Sequence, residues 1–212
     1  GSGGATLGHI KLSLTDWLEE NEKKWRPEAE WGDPIVLPKG WQFLHIDTPP
    51  SSDTTPSVDI NEYLGLIKSG VTFEDVQNTL DLDPNMHHEL ETWRVDPATY
   101  PFTLIQGAGQ FRAIGATVGL AYAKTIKEAI QSAYDTLTDI SATTELTNLY
   151  SQILDKEAKA ESEVRVVIIS SLAGGTGAGI LLTVSDIVRA MNQKGSDNIF
   201  GILYSPDVFN SS

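Results

Sequence analysis

The segment Ala173-Gly174-Gly175-Thr176-Gly177-Ala178-Gly179 constrains this chain more than any other. It follows the apolar run Val164-Arg165-Val166-Val167-Ile168-Ile169 and leads into helix-forming residues from about 178 to 192. The β-branched run predicts a strand covered on both faces, as in parallel sheets. Four glycines lie between positions 174 and 179, and glycine costs conformational entropy unless the backbone needs it. A glycine-rich backbone comes close to a ligand, and successive amides then form a concavity that suits phosphate oxygens. The helix that follows adds free N–H groups and its positive dipole end. Thr176 adds a hydroxyl. No lysine is present in the loop, which excludes a Walker P-loop with its Gly-Lys-Ser/Thr ending.

The rest of the chain reads as strands alternating with helices. Residues 1–6 read as a glycine loop entering a helix over 9–24, with Ile10, Leu14, Trp17 and Leu18 on one face. A strand is predicted at 41–46, ending at Asp47-Thr48, and a Pro/Ser/Thr loop at 49–57. Residues 58–95 read as a small helical insertion. Its first helix carries Ile60, Tyr63, Leu64 and Ile67 up to Gly70. Its second is capped by Thr72 and Asp75, and its third carries Met86, Leu90 and Trp93. A short strand at 103–105 meets Gln106-Gly107-Ala108-Gly109-Gln110. Helices are then predicted at 111–137 and 144–160, and a last strand at 198–204 ends at Ser205-Pro206-Asp207. This order predicts an α/β fold with a mainly parallel sheet, in one domain spanning 1–212, with the loops gathered at the carboxyl ends of the strands.

Charge and composition narrow the function. The net charge is −14, with 29 acidic against 15 basic residues. Such a chain repels phosphate backbones and anionic lipid, so neither nucleic acid nor a membrane surface is expected as a main partner. A bound nucleotide needs only local amides and a metal ion. With no cysteine, disulfide and thiolate chemistry are excluded. The longest apolar run, Val166 to Ala173 with Ser170 and Ser171 inside it, is far short of the roughly 20 residues of a membrane span. Residues 1–8 are glycine-rich rather than basic then apolar, so no signal peptide is visible and a cytoplasmic location is expected.

Residues 173–179 match the tubulin/FtsZ signature at every position, a pattern that accepts Ala at its first and sixth places. The other loops are similar in order and spacing. Gly1-Ser2-Gly3-Gly4 stands before the first helix. Ile46-Asp47-Thr48 follows the second strand, with a changed residue order. Gly107-Ala108-Gly109 precedes the long third helix, and Tyr204-Ser205-Pro206-Asp207 resembles the sugar-binding loop. The insertion at 58–95 departs from the family and suggests a divergent bacterial tubulin-like protein. The resemblance implies a Rossmann-like, mainly parallel sheet flanked by helices, here incomplete. It implies GTP or GDP with Mg2+ as ligand. Phosphate contacts then fall to Gly3, Gly4, Ala5, Thr48, Gly107, Ala108, Gly109, Gly174, Gly175, Thr176, Gly177 and Ala178, with Asp47 beside Mg2+ and Asp207 near the ribose. It further implies head-to-tail self-association, with hydrolysis completed by the neighbouring subunit. The guanine-reading asparagine and the catalytic acidic loop are expected beyond Ser212, so no catalytic residue is assigned.

Two rivals stand beside this reading. A dinucleotide- or ATP-dependent enzyme would use Gly1–Ala5 as a Rossmann fingerprint, but it wants an acidic residue about 20 positions further on, and Asp47 is much more distant. A degenerate scaffold would assemble without binding any nucleotide. Arg112 is read either as a phosphate partner or as a solvated helix residue. His87 and His88 are read as surface residues, because neighbours on a helix do not face one ion.

Overall fold

A computed structural model describes residues 2–30, 32–82, 93–100, 103–159, 163–191 and 198–209. The β-branched run forms β3 (Val166–Ser171), which pairs in parallel with β4 (Ile199–Tyr204), Val166 opposite Ile199 and Ser171 opposite Tyr204. Parallel pairing needs a crossover, and α7 (Gly175–Met191) supplies it. A second parallel pair joins β1 (His45–Asp47) to β2 (Tyr63–Gly65). Among the described residues the other α-helices are α1 (Ser2–Glu20), α2 (Glu22–Trp25), α3 (Phe73–Asp81), α4 (Arg112–Ala121), α5 (Ala123–Thr138) and α6 (Ile140–Leu154). The fold is thus mixed α/β with short parallel sheets, as the order of elements predicts.

Two apolar clusters hold these elements. In the larger, Phe73 and Val76 of α3, Ile114 and Val118 of α4, Ile126 and Ile130 of α5 and Ile180 and Val188 of α7 are buried together, with Ile46, Leu64, Val166, Ile168 and Ile199 of the strands against them. The alternation of Val166 and Ile168 puts both on that face. The smaller cluster joins Leu18 of α1 to Leu149 and Ile153 of α6, with Trp17, Trp25 and Trp41 packed on it.

Several local expectations are corrected. The amino-terminal glycines do not form a loop: α1 begins at Ser2, because its first turn is wedged between the ends of β1 and β3 and tertiary packing overrides glycine's poor helix propensity. Residues 60–67 are not a helix. They form a 3-10 turn at Ile60–Glu62 and then β2, where pairing with β1 wins over helical spacing. The strand expected from 41 is assigned only over His45–Asp47, the stretch that β2 reaches. Thr103 makes an isolated antiparallel bridge with Thr72, and Leu104–Gln106 is a 3-10 turn instead of a strand. The helix from 111 breaks at Tyr122 into α4 and α5. The capping box of α3 forms as expected: the Thr72 amide donates to Asp75 Oδ2 at 2.8 Å and the Asp75 amide to Thr72 Oγ1 at 3.2 Å. Cover on both faces of β3 fails at Val167, which is 52% exposed. The expected helix around Met86 and the pair His87-His88 lie outside the described residues.

Helices α4 and α7 cross with their backbones touching. A Cβ placed on Gly115 would stand 2.1 Å from the Gly175 carbonyl oxygen, and one on Gly179 would stand 2.4 Å from the Ala116 amide nitrogen. The spacing Gly115/Gly119 on one helix and Gly175/Gly179 on the other puts each pair on one face. Backbone cannot turn aside as a flexible side chain does, so a methyl here overpacks the crossing. We expect Gly115→Ala and Gly179→Ala each to lose about 1–3 kcal/mol in urea unfolding, despite alanine's better helix propensity. Gly201→Ala, which meets nothing within 4 Å, should change stability by under roughly 0.5 kcal/mol.

Candidate functional site

A cavity of about 730 Å3 opens where the amino-terminal ends of α1 and α7 meet the carboxyl ends of β1 and β3. Its polar end is lined by Gly3, Gly4, Asp47, Gly107, Ala108, Gly109, Gly174, Thr176 and Gly177. It continues along residues 42–47 and 165–171, touching every residue in each stretch. Neighbours in a strand point to opposite faces, so a cavity that touches all of them runs along the strand edges.

Three loops are tied together at the polar end. The Gly175 amide donates to the Gly109 carbonyl at 2.7 Å. The Ala108 amide donates to Thr176 Oγ1 at 3.3 Å, and that hydroxyl lies 2.9 Å from Thr48 Oγ1. The Thr48 amide donates to Asp47 Oδ1 at 2.7 Å. Arg112 Nη2 donates to the Leu172 carbonyl at 2.7 Å, which fixes the end of β3. Gly107 (φ +94°) and Gly109 (φ +56°) adopt left-handed backbone that glycine accepts without strain.

Most of the residues singled out from the sequence converge here, and several have a packing reason for their identity. Gly3 lies against the Ile169 carbonyl oxygen, 3.0 Å from where a Cβ would stand. Gly4 makes room for the His45 ring, with a Cβ only 2.2 Å from Cε1. Gly175 lies against the Ala108 and Gly109 carbonyls, at 2.6 and 2.8 Å from a Cβ. Gly177 stands 3.0 Å from Ser170 Oγ by the same measure, whereas Gly174 faces open space. Thr48 is fully buried and reaches the site through Thr176. Ala5 and Ala178 sit half-buried in their helices and do not line the cavity. Asp207 is exposed beyond β4, where the Ser205 hydroxyl donates to it at 3.1 Å, and it does not line the cavity either. Among the lining residues that were not read from the sequence are Asp53 and His45. Asp53 lies in the Pro/Ser/Thr loop, where a carboxylate carries no positional signal. His45 lies inside a strand that reads as apolar.

The electrostatics suit an anion accompanied by a cation. The amides of Thr176 and Gly177 fall in the first turn of α7, where no helical carbonyl reaches them. Both helix dipoles present their positive ends to the same region. Burial works to raise the Asp47 carboxyl, but the His45 ring and the Thr48 amide hold it below the ordinary aspartate value. Burial, with Asp47 and Asp53 nearby, pushes the Tyr63 phenol well up, and Tyr63 stays neutral and donates to the Pro49 carbonyl at 2.7 Å. Among the described residues no group of three or more His, Asp and Glu could hold a metal. A divalent ion here would therefore rest on Asp47 and on oxygens of its own anionic ligand, which is how Mg2+ is commonly held beside phosphates.

The buried hydroxyl pair is open to a direct test. Thr48→Val keeps the shape of the side chain but leaves Thr176 Oγ1 with only the Ala108 amide of its two partners. We expect it to lose about 1–2 kcal/mol in chemical denaturation. Thr48→Ser, which keeps the hydroxyl, should recover about half or more of that loss.

A family model described as tubulin-like matches residues 1–212. No curated protein and no solved structure matches the chain. Among the described residues, no helix is long and apolar enough to cross a membrane. The match runs the length of the chain, and with the glycine loops brought to one cavity it identifies the protein as a member of the tubulin-like family.

Proposed function

We propose that this chain is a nucleotide-binding domain spanning 1–212, that it binds GTP or GDP with Mg2+, and that the protein self-associates head to tail. The observation that carries the reading is the meeting of two helix N-termini and two glycine loops, 107–109 and 174–177, at one cavity end beside Asp47. In this reading the two parallel strand pairs belong to one Rossmann-like sheet flanked by helices. Amides of Gly174, Thr176 and Gly177 face the phosphates, and the 107–109 loop, braced by Gly175 and Thr176, closes their other side. Asp47 orients the Mg2+ ion, whose role is to neutralise phosphate charge. Asp207, which lies outside the cavity lining, is left to the family resemblance as a ribose partner. The Rossmann-fingerprint rival is weakened because residues 2–5 are the first turn of a helix, not a tight loop after a strand.

Hydrolysis in this reading is completed across the interface between subunits. The carboxylates that line the cavity are Asp47 and Asp53, and the first of these is engaged by His45 and Thr48. Phosphoryl transfer needs a positioned water as well as neutralised charge, and the family resemblance assigns that positioning to an acidic loop of the next subunit.

Calorimetry with GTP, ATP and NAD, each with Mg2+ and with EDTA, tests the binding step. We expect GTP with Mg2+ to bind best. Gly174→Val is the informative variant, because its side chain enters open space and spares the fold while covering the loop amides. Its affinity should fall at least about tenfold, the loss of one or more charge-assisted contacts. Unchanged affinity would remove the phosphate role from this loop. For catalysis, phosphate release across a dilution series of the intact protein, with light scattering in parallel, should give specific activity that rises as assembly sets in. Constant specific activity down to monomer would end the shared-site mechanism.

A further inference from the structure

We infer that His45 is a positioning residue for the polar end of the cavity: its ring holds the Asp47 carboxylate and, through Asp47, Thr48 and Thr176, sets how the three loops meet. Where it concerns nucleotide, the inference rests on the function proposed above.

Residues 45 and 47 are two apart on β1 and so project to the same face. His45 Nε2 stands 3.6 Å from Asp47 Oδ2, and the side chain is only 7% exposed. The ring is clamped from two sides. The α1 backbone passes so close that a side chain at residue 4 would displace the ring, and the Tyr63 ring lies perpendicular to it, at 84° and 5.0 Å between centroids. With the ring fixed, Asp47 is approached at both oxygens, by His45 at Oδ2 and by the Thr48 amide at Oδ1. Thr48 then passes this order to Thr176 and to the Ala108 amide. One chain of polar contacts therefore runs from the buried strand to loops 46–48, 174–177 and 107–109.

A ring that served only as filler would not need nitrogens. His45 Nδ1 is buried without a hydrogen-bond partner among the described residues, and a buried orphan of this kind costs free energy that an apolar ring would avoid. The surroundings, Gly4 and the edge of Tyr63, suit a flat ring, and a phenylalanine would satisfy them at no polar cost. What phenylalanine lacks is a group that can face Asp47.

The experiment compares His45→Phe, which keeps the ring, with His45→Gln, which keeps a side-chain N–H donor. In the ligand-free protein, amide hydrogen exchange should speed up about tenfold at Thr48 in His45→Phe, one charge-assisted contact's worth, and about threefold or less in His45→Gln. Exchange within α4 should not change. GTP affinity measured with Mg2+ should fall about tenfold in His45→Phe and recover most of that in His45→Gln. His45→Asn, whose shorter side chain falls away from Asp47, should repeat the loss and serves if the Phe variant does not fold. Unchanged exchange at Thr48 would overturn the inference whether or not nucleotide binds. Affinity with Mg2+ as low in His45→Gln as in His45→Phe would overturn it too, since it would make the ring a packing element alone. If the wild-type protein bound no GTP, the proposed function would fall, while the exchange comparison would still decide the role of His45.

Discussion

Backbone touching backbone between loop 107–109 and the start of α7 underlies the whole arrangement. The Gly175 amide donates to the Gly109 carbonyl at 2.7 Å, and no side chain fits between the two segments. Because that approach is fixed, α4 must leave its loop across the face of α7, which sets the crossing at Gly115 and Gly179. The same approach brings Thr176 under the Ala108 amide and within reach of Thr48. Core packing and site geometry here share one cause, so a glycine that packs helices also shapes the cavity.

The convergence of the glycine loops on one cavity was legible in the sequence because glycine loops at helix starts have few other uses. Positions 107–109 and 174–177 read correctly as neighbours, although about 60 residues separate them. The reason for each glycine was less legible. Conformational freedom is what a sequence suggests, yet Gly115, Gly175 and Gly179 are required by the backbone that lies against them, and only a fold reveals that. Residues 60–67 misled because Ile60, Tyr63, Leu64 and Ile67 keep helical spacing, while the neighbouring strand β1 decides their conformation. Boundaries moved for similar reasons: α1 and α7 both begin within segments that read as loops, since buried contacts outweigh glycine's cost in a helix. His45 and Asp53 gave no signal, being single residues with meaning only through their neighbours.

Charge has a local logic that the net value of −14 conceals. The polar end of the cavity sets helix dipoles and loop amides against Asp47 and Asp53. An isolated anion would meet the carboxylates, and an isolated cation would meet the dipoles. The pair together, an anion carrying its own divalent ion, would satisfy both, and on the proposed function binding would depend strongly on the metal, with no preformed metal cluster among the described residues.

The strand β4 carries a different consequence. Phe200, Ile202 and Leu203 are about half exposed, and among the described residues β4 pairs on one side only, with β3. An open, apolar strand edge is a template for any other extended chain. Association through such an edge would be indifferent to nucleotide, favoured by heating and by sulfate, and resistant to dilution once formed. Ordered polymer and edge-grown aggregate would scatter light alike, and reversal on nucleotide removal is the property that separates them.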